Sequence, residues 1–129
     1  MIVGLGSDIV EIERLAAVAR RHGAHFLARV FTPAELAEAT GRGAAADAYH
    51  AGRWAVKEAV SKALGTGIGE RCGWLDIETL NLESGRPATR LSGAAAATAA
   101  ALGVERVHVS VSHERHHAVA TVILEKLQP

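Results

Sequence analysis

Glu58 and Lys62 stand four residues apart in a stretch with helical spacing, so they share a face with Trp54, Ser61 and Gly65. A carboxylate there can hold a hard cation, while an ammonium one turn on can meet phosphate oxygens. The same spacing also makes ordinary surface ion pairs, worth about 0.3–0.5 kcal/mol, and by spacing alone these are the commoner case. Asp8 lies in an otherwise apolar run, Ile2 to Ile12, where an unpaired carboxylate would be costly to bury. Its partner is a metal, an arginine or a helix N-terminus. Magnesium takes one or two protein carboxylates and completes its octahedron with water and phosphate oxygens, so Asp8 with Glu58 would suffice.

Ser112 and His113 close the run Val109-Ser110-Val111-Ser112-His113, where they can donate hydrogen bonds to phosphate. His113, His116 and His117 are not joined by a Cys or an acid at a zinc spacing. A Ser-His hydrolase is disfavoured too, because neighbours on a strand point apart and no nucleophile elbow is present. Gly65-Thr66-Gly67-Ile68-Gly69 follows a helix rather than opening one and lacks the Lys-Ser or Lys-Thr of a P-loop, so it reads as a helix end and turn.

The elements that must position these groups follow from periodicity. Ile2 to Ile12 reads as a strand on which Gly4, Gly6 and Asp8 share one face. The two glycines either leave room for an approaching group or mark a bulge or tight packing. Glu13 to Arg21 reads as a short basic helix, followed by a turn at Gly23 and a segment Phe26 to Phe31. Thr32-Pro33-Ala34-Glu35 is a capping box with proline in the first turn. Gly41 to Ala46 reads as a loop. Asp47 to Leu64 is the strongest helix, with Ala51, Ala55, Val56, Ala59, Val60 and Ala63 at helical spacing, stopped by Gly65. Ile77–Leu82 and Ala88–Leu91 read as a hairpin turning at Ser84 to Pro87, and Ser92 as the cap of an alanine-rich helix ending at Leu102. Val107–Ser112 and Ala118–Leu124 read as a second, buried hairpin. This order predicts one α+β domain over residues 1–129, with a mainly antiparallel sheet packed against one long and several short helices.

Composition narrows the function. Fourteen basic and fourteen acidic residues give zero formal charge, which argues against a general nucleic-acid binder. The lone Cys72 forms no internal disulfide, no apolar run reaches membrane-spanning length, and the N-terminus lacks a signal pattern. A cytoplasmic protein without membrane partners is expected. Aromatics are scarce at 4% and the core is alanine-rich, so burial against another subunit is compatible with the composition.

Taken in order, four motifs resemble the holo-acyl-carrier-protein synthase family, the small single-domain phosphopantetheinyl transferases. They are GLGSDIVEIER at 4–14, RWAVKEAVSKALGTGI at 53–68, Gly85-Arg86-Pro87, and VSVSH at 109–113. The resemblance runs almost end to end, and the 53–68 motif is long and specific. It implies transfer of 4'-phosphopantetheine from coenzyme A to a serine of apo-acyl carrier protein, with adenosine 3',5'-bisphosphate leaving. It implies Asp8 and Glu58 as magnesium ligands, and Glu58 and Lys62 as catalytic. Arg53, Ser61, Lys62, Gly65, Gly85, Pro87, Ser112 and His113 match positions that line the coenzyme A site. Arg14, Arg21 and Phe26 match the surface that meets the acidic carrier. Family members form trimers with active sites at subunit boundaries. The chain departs from the usual pattern at Tyr49-His50, Trp54 and His117, which bears on pocket shape and carrier preference. The competing class is a non-catalytic module binding coenzyme A or a carrier. It would keep Arg53 and the Gly85–Pro87 turn and need neither carboxylate.

Overall fold

A computed structural model describes residues 1–128. Strand β1 (Ile2–Glu11) runs directly into helix α1 (Ile12–Val30), followed by α2 (Pro33–Thr40), a 3₁₀ turn at Gly43–Ala45 and the long helix α3 (Ala46–Leu64). A second 3₁₀ turn, Trp74–Asp76, leads into β2 (Ile77–Asn81) and β3 (Pro87–Leu91). Helix α4 (Gly93–Ala101) and strands β4 (Arg106–His113) and β5 (His117–Glu125) complete the chain. All pairings are antiparallel: β5 lies between β1 and β4, while β2 and β3 form a separate ribbon. The α+β class expected from element order is the class observed.

The core forms where α3 crosses the inner face of the three-stranded sheet. Ala55, Val56, Ala59, Val60 and Ala63 pack on Ala120, Val122 and Leu124 of β5, with Ala95 and Ala99 of α4 closing one side. Small residues let helix and strand approach closely, and the β1 glycines carry this to its limit. A Cβ on Gly6 would run into the carbonyl oxygen of Ala59, and one on Gly4 into that of Ala63. Of the two sequence readings, tight packing is therefore correct: what approaches the glycines is the main chain of α3. Asp8, next on the same face, lies where that packing opens.

Helix α3 ends as its glycine predicts. Gly65 adopts φ 80°, and Ser61 O accepts from the amides of Thr66 and Gly67 at 3.1 and 3.2 Å. The Thr32–Glu35 capping box forms in both directions. At Gly23 (φ 67°, ψ −155°) the backbone leaves the helix, so α1 is two helical segments joined by the turn expected there. Two expectations need correction. Part of the 41–46 loop, Gly43–Ala45, winds into a 3₁₀ turn. Ser92 sits at the N-cap of α4, but its hydroxyl makes no cap bond; the carboxylate of Asp76 accepts from Ala95 N at 3.1 Å instead.

The last hairpin is also only half as buried as its apolar sequence suggests. Ala118, Ala120, Val122 and Leu124 face the core, but Val119 and Ile123 point outward, opposite Ile9 and Leu5 of β1. Leu5 and Ile9 are each 65% exposed. The outer face of this sheet thus carries an apolar patch, Leu5, Ile9, Val119 and Ile123, interrupted by Ser7 and Thr121 and uncovered within one chain.

Candidate active site

The residues expected to do chemistry gather in two places rather than one. The first is the seam between β1 and the C-terminal half of α3. There Lys62 Nζ lies 2.9 Å from Asp8 Oδ1 and donates to Ser7 O at 3.1 Å. Asp8 is mostly covered while Lys62 is half exposed, so the pair is open to solvent from the lysine side. Glu58 stands one turn before Lys62. Burial, then the negative charge of Asp8, push its carboxyl above the ordinary value, and Lys62 only partly offsets this. Two hard oxygen donors repelling each other beside one cation fit a site for a further divalent cation, whose remaining positions water and phosphate would fill. No group of three or more His, Cys, Asp or Glu suited to a metal occurs among the described residues, so any such ion would rest on this pair.

Ser61 is on this stretch of helix but turned inward. It is fully buried and donates to Glu58 O at 2.7 Å, which commits its hydroxyl to its own helix. Gly65 is exposed at the helix end one turn beyond.

The second place lies around the N-terminal half of α3. Arg53 projects about 140° away from Glu58, as five helical positions require. Its guanidinium is almost wholly buried: Nε donates to Thr79 O at 2.8 Å, and Nη2 to Asn81 Oδ1 at 2.8 Å and Glu38 Oε1 at 3.1 Å. It also lies over the Tyr49 ring at 4.4 Å. Burial works to raise Glu38, but hydrogen bonds from Tyr49 and Asn81 and the charge of Arg53 outweigh it and hold the carboxyl below its usual value. Arg53 thus frames a cavity of about 190 Å³, whose lining includes Arg42, Tyr49, Asn81, Gly85, Pro87 and His113. Gly85 makes the tight turn at φ 89°. Ser112 faces the other way, toward the outer face of the sheet. There it lines an apolar cavity of about 450 Å³ with Ile9, Val119 and His116, and His113 is common to both cavities. Cys72 is buried and its thiol is pushed up to about 11, by burial first and Asp76 second, so it is no nucleophile.

The residues expected to meet a carrier are on α1 and form a third surface. Arg14 rims a groove of about 300 Å³ floored by Ile9, Val10, Leu15, Val18 and Trp54. Arg21 is exposed, and Phe26 is half-buried against Trp54 with ring centroids 6.1 Å apart. Arg20 is engaged with Glu13 at 2.6 Å.

Sequence reasoning missed the most deeply buried charges. Lys57 and Glu35 are both fully buried, with Nζ 2.9 Å from Oε1. Helix α3 is buried over most of its surface, so a lysine within it needs a partner, but its sequence also carries Arg53, Glu58, Ser61 and Lys62 and does not mark which charge lies inside.

The fold, an antiparallel sheet wrapped on one long helix, is shared with solved holo-[acyl-carrier-protein] synthases. The chain belongs to the 4'-phosphopantetheinyl transferase superfamily, which residues 4–122 match, and within it to the holo-[acyl-carrier-protein] synthases. It is 47% identical over 131 residues to the holo-[acyl-carrier-protein] synthase of Methylobacterium radiotolerans, covering 98% of this chain and 96% of that one. The crystal structure of the synthase from Neisseria meningitidis superposes with a TM-score of 0.90 at 35% identity, over 98% and 100% of the two chains. That of the Bacillus anthracis synthase in complex with CoA (3',5'-ADP) gives 0.83 at 39% identity, over 98% and 99%.

Proposed function

We infer that this chain moves 4'-phosphopantetheine from coenzyme A to a serine hydroxyl of apo-acyl carrier protein. The observation that carries the reading is the convergence of Asp8, Glu58 and Lys62 at one seam, in a chain of this family. The serine Oγ attacks the β-phosphorus of coenzyme A. The bond to the bridging oxygen breaks, and adenosine 3',5'-bisphosphate takes the electron pair. Such a transfer depends on positioning and charge neutralisation. Lys62, half exposed and held by a single carboxylate oxygen and a carbonyl, is placed to swing its ammonium onto phosphate oxygens. Glu58, one turn before Lys62, is the group we assign to receive the serine proton, through a water that its carboxylate orients. Magnesium held by Asp8 and Glu58 would, when bound, neutralise charge on the pyrophosphate.

We propose further that the enzyme works as a trimer. Two observations support this: the sheet's outer face is apolar and uncovered around Leu5 and Ile9, and the Arg53–His113 cavity faces away from the acid pair. A second copy would cover the first and bring its own cavity to the seam. Ile9→Glu should then dissociate the oligomer in light scattering and abolish transfer together. We place the activity in the cytoplasm on the reading of Cys72 as a lone thiol; among the described residues no helix is long and apolar enough to cross a membrane. Release of adenosine 3',5'-bisphosphate, one per carrier consumed, tests the reaction itself. Binding of coenzyme A without release would overturn it.

A further inference from the structure

Glu38 and Arg42 stand four residues apart, the spacing at which a carboxylate and a guanidinium ordinarily pair. Here the pair does not close. Arg42 Nη2 lies 3.9 Å from Glu38 Oε1, beyond hydrogen-bonding distance, and the arginine is exposed. The reason is that Glu38 is already taken. Its Oε1 accepts from the Tyr49 hydroxyl at 2.7 Å and from Arg53 Nη2 at 3.1 Å. The Asn81 amide reaches both carboxylate oxygens, at 3.3 and 3.1 Å. Arg42 leans instead on the Tyr49 ring, with Cζ 5.0 Å from the centroid.

Tyr49 thus touches both members of the unmade pair. It is buried, and burial first and the bond to Glu38 second raise its phenol above the ordinary value, so the hydroxyl stays a donor. The cavity it lines carries two arginines and His113 and no carboxylate. Arg53 has its charge spent inside, on Glu38, Asn81 and a carbonyl. Arg42 is the arginine left at the cavity with its side-chain donors unused among the described residues. An open guanidinium in a cavity without acids suits an anionic oxygen ligand.

We propose that Tyr49 is a positioning residue for the donor: its hydroxyl occupies Glu38 and its ring carries Arg42, which keeps the Arg42 guanidinium open to a phosphate of coenzyme A that takes no part in the transfer. Without the hydroxyl, Glu38 Oε1 regains a lone pair, and Arg42 is placed to fill it by closing the pair that spacing favours. This rests on the transferase reading above. There the diphosphate reacts at the Asp8–Glu58 seam, so the 3'-phosphate is the anion left for this cavity.

Adenosine 3',5'-bisphosphate, which keeps that phosphate and does not react, is the probe, titrated calorimetrically into the full chain. Tyr49→Phe removes the oxygen and keeps the ring. It should weaken binding about fivefold, and Arg42→Ala about tenfold, the range of one exposed charge-assisted contact. The double variant should bind no more weakly than Arg42→Ala, because the hydroxyl acts through Arg42. In turnover, Tyr49→Phe should raise the KM for coenzyme A in step with the calorimetric loss and leave the KM for apo-carrier unchanged. Additive losses in the double variant would make Tyr49 a purely structural residue and overturn the proposal, as would unaltered affinity in either single variant. Arg42 is exposed, so Arg42→Ala decides the anion contact even if Tyr49→Phe does not fold. A wild-type chain that binds the bisphosphate and transfers nothing refutes the transferase reading and leaves the anion site standing. One that transfers the group and binds no bisphosphate overturns this proposal alone.

Discussion

Lys57 and Lys62 stand five positions apart on α3, each with Nζ 2.9 Å from a carboxylate oxygen. Lys57 and Glu35 are fully buried; Lys62 is half exposed and its partner Asp8 nearly covered. Around Lys57 every donor has a partner, two carbonyls and a carboxylate, and Glu35 is bonded on both oxygens. Burial pulls the Lys57 ammonium below the ordinary lysine value while Glu35 opposes that pull. Around Lys62 the charges do not balance, because Asp8 and Glu58 repel each other across one cation. The same pairing chemistry builds structure where water is excluded and leaves an exchangeable site where it is not. A buried pair is costly to break, whereas a half-exposed pair can trade its partner for a ligand.

Breaking each pair should expose the contrast. Lys57→Met should cost about 3–5 kcal/mol by leaving Glu35 charged and unpaired, read as a lower urea midpoint. Lys62→Met should cost less than about 1 kcal/mol in the same assay. Similar losses from both would erase the distinction. For catalysis the ranking reverses: Asp8→Ala and Glu58→Ala should each lower kcat by roughly 10²–10³-fold, with the melting temperature little changed. Near-normal turnover in either would sink the acid-pair assignment.

Smaller effects sharpen the picture at its edges. Arg14→Glu should raise the KM for carrier about threefold to tenfold at low salt and less at high salt, since the contact is exposed. Equal loss of coenzyme A affinity would mean that α1 is not a dedicated docking surface. The smallest effect concerns Glu58 itself. Its folded-state pKa is raised, so the fold disfavours its charged form. That cost is present above the folded pKa and absent below the unfolded one, near 4. In metal-free protein Glu58→Gln should therefore raise the melting temperature slightly at neutral pH and leave it unchanged in acid. The opposite sign would show that Lys62 dominates the environment of Glu58.

Local signals were legible in the sequence and long-range ones were not. Periodicity located α3, its glycine stop and both hairpins, because each follows from neighbouring residues. The parity of Gly4, Gly6 and Asp8 placed them on one face, but only the fold shows that α3 fills the glycine gaps. The capping box identified one job of Glu35. Its bonds to Thr79 and Lys57 reach far along the chain, where spacing carries no information. Likewise, 53–68 reads as one motif, yet helical geometry turns Arg53 and Glu58 to different sides. The apolar outer patch of β5 looked like core because a sequence does not say whether its own chain or another covers it.

The most direct test of the central claim is the intact mass of apo-acyl carrier protein after incubation with this protein, coenzyme A and magnesium. A gain of about 340 Da, the phosphopantetheine added by such a transfer, is expected with magnesium, lost with EDTA and restored by excess magnesium. An unchanged carrier mass from folded protein that still binds coenzyme A would contradict the account and leave a binding module.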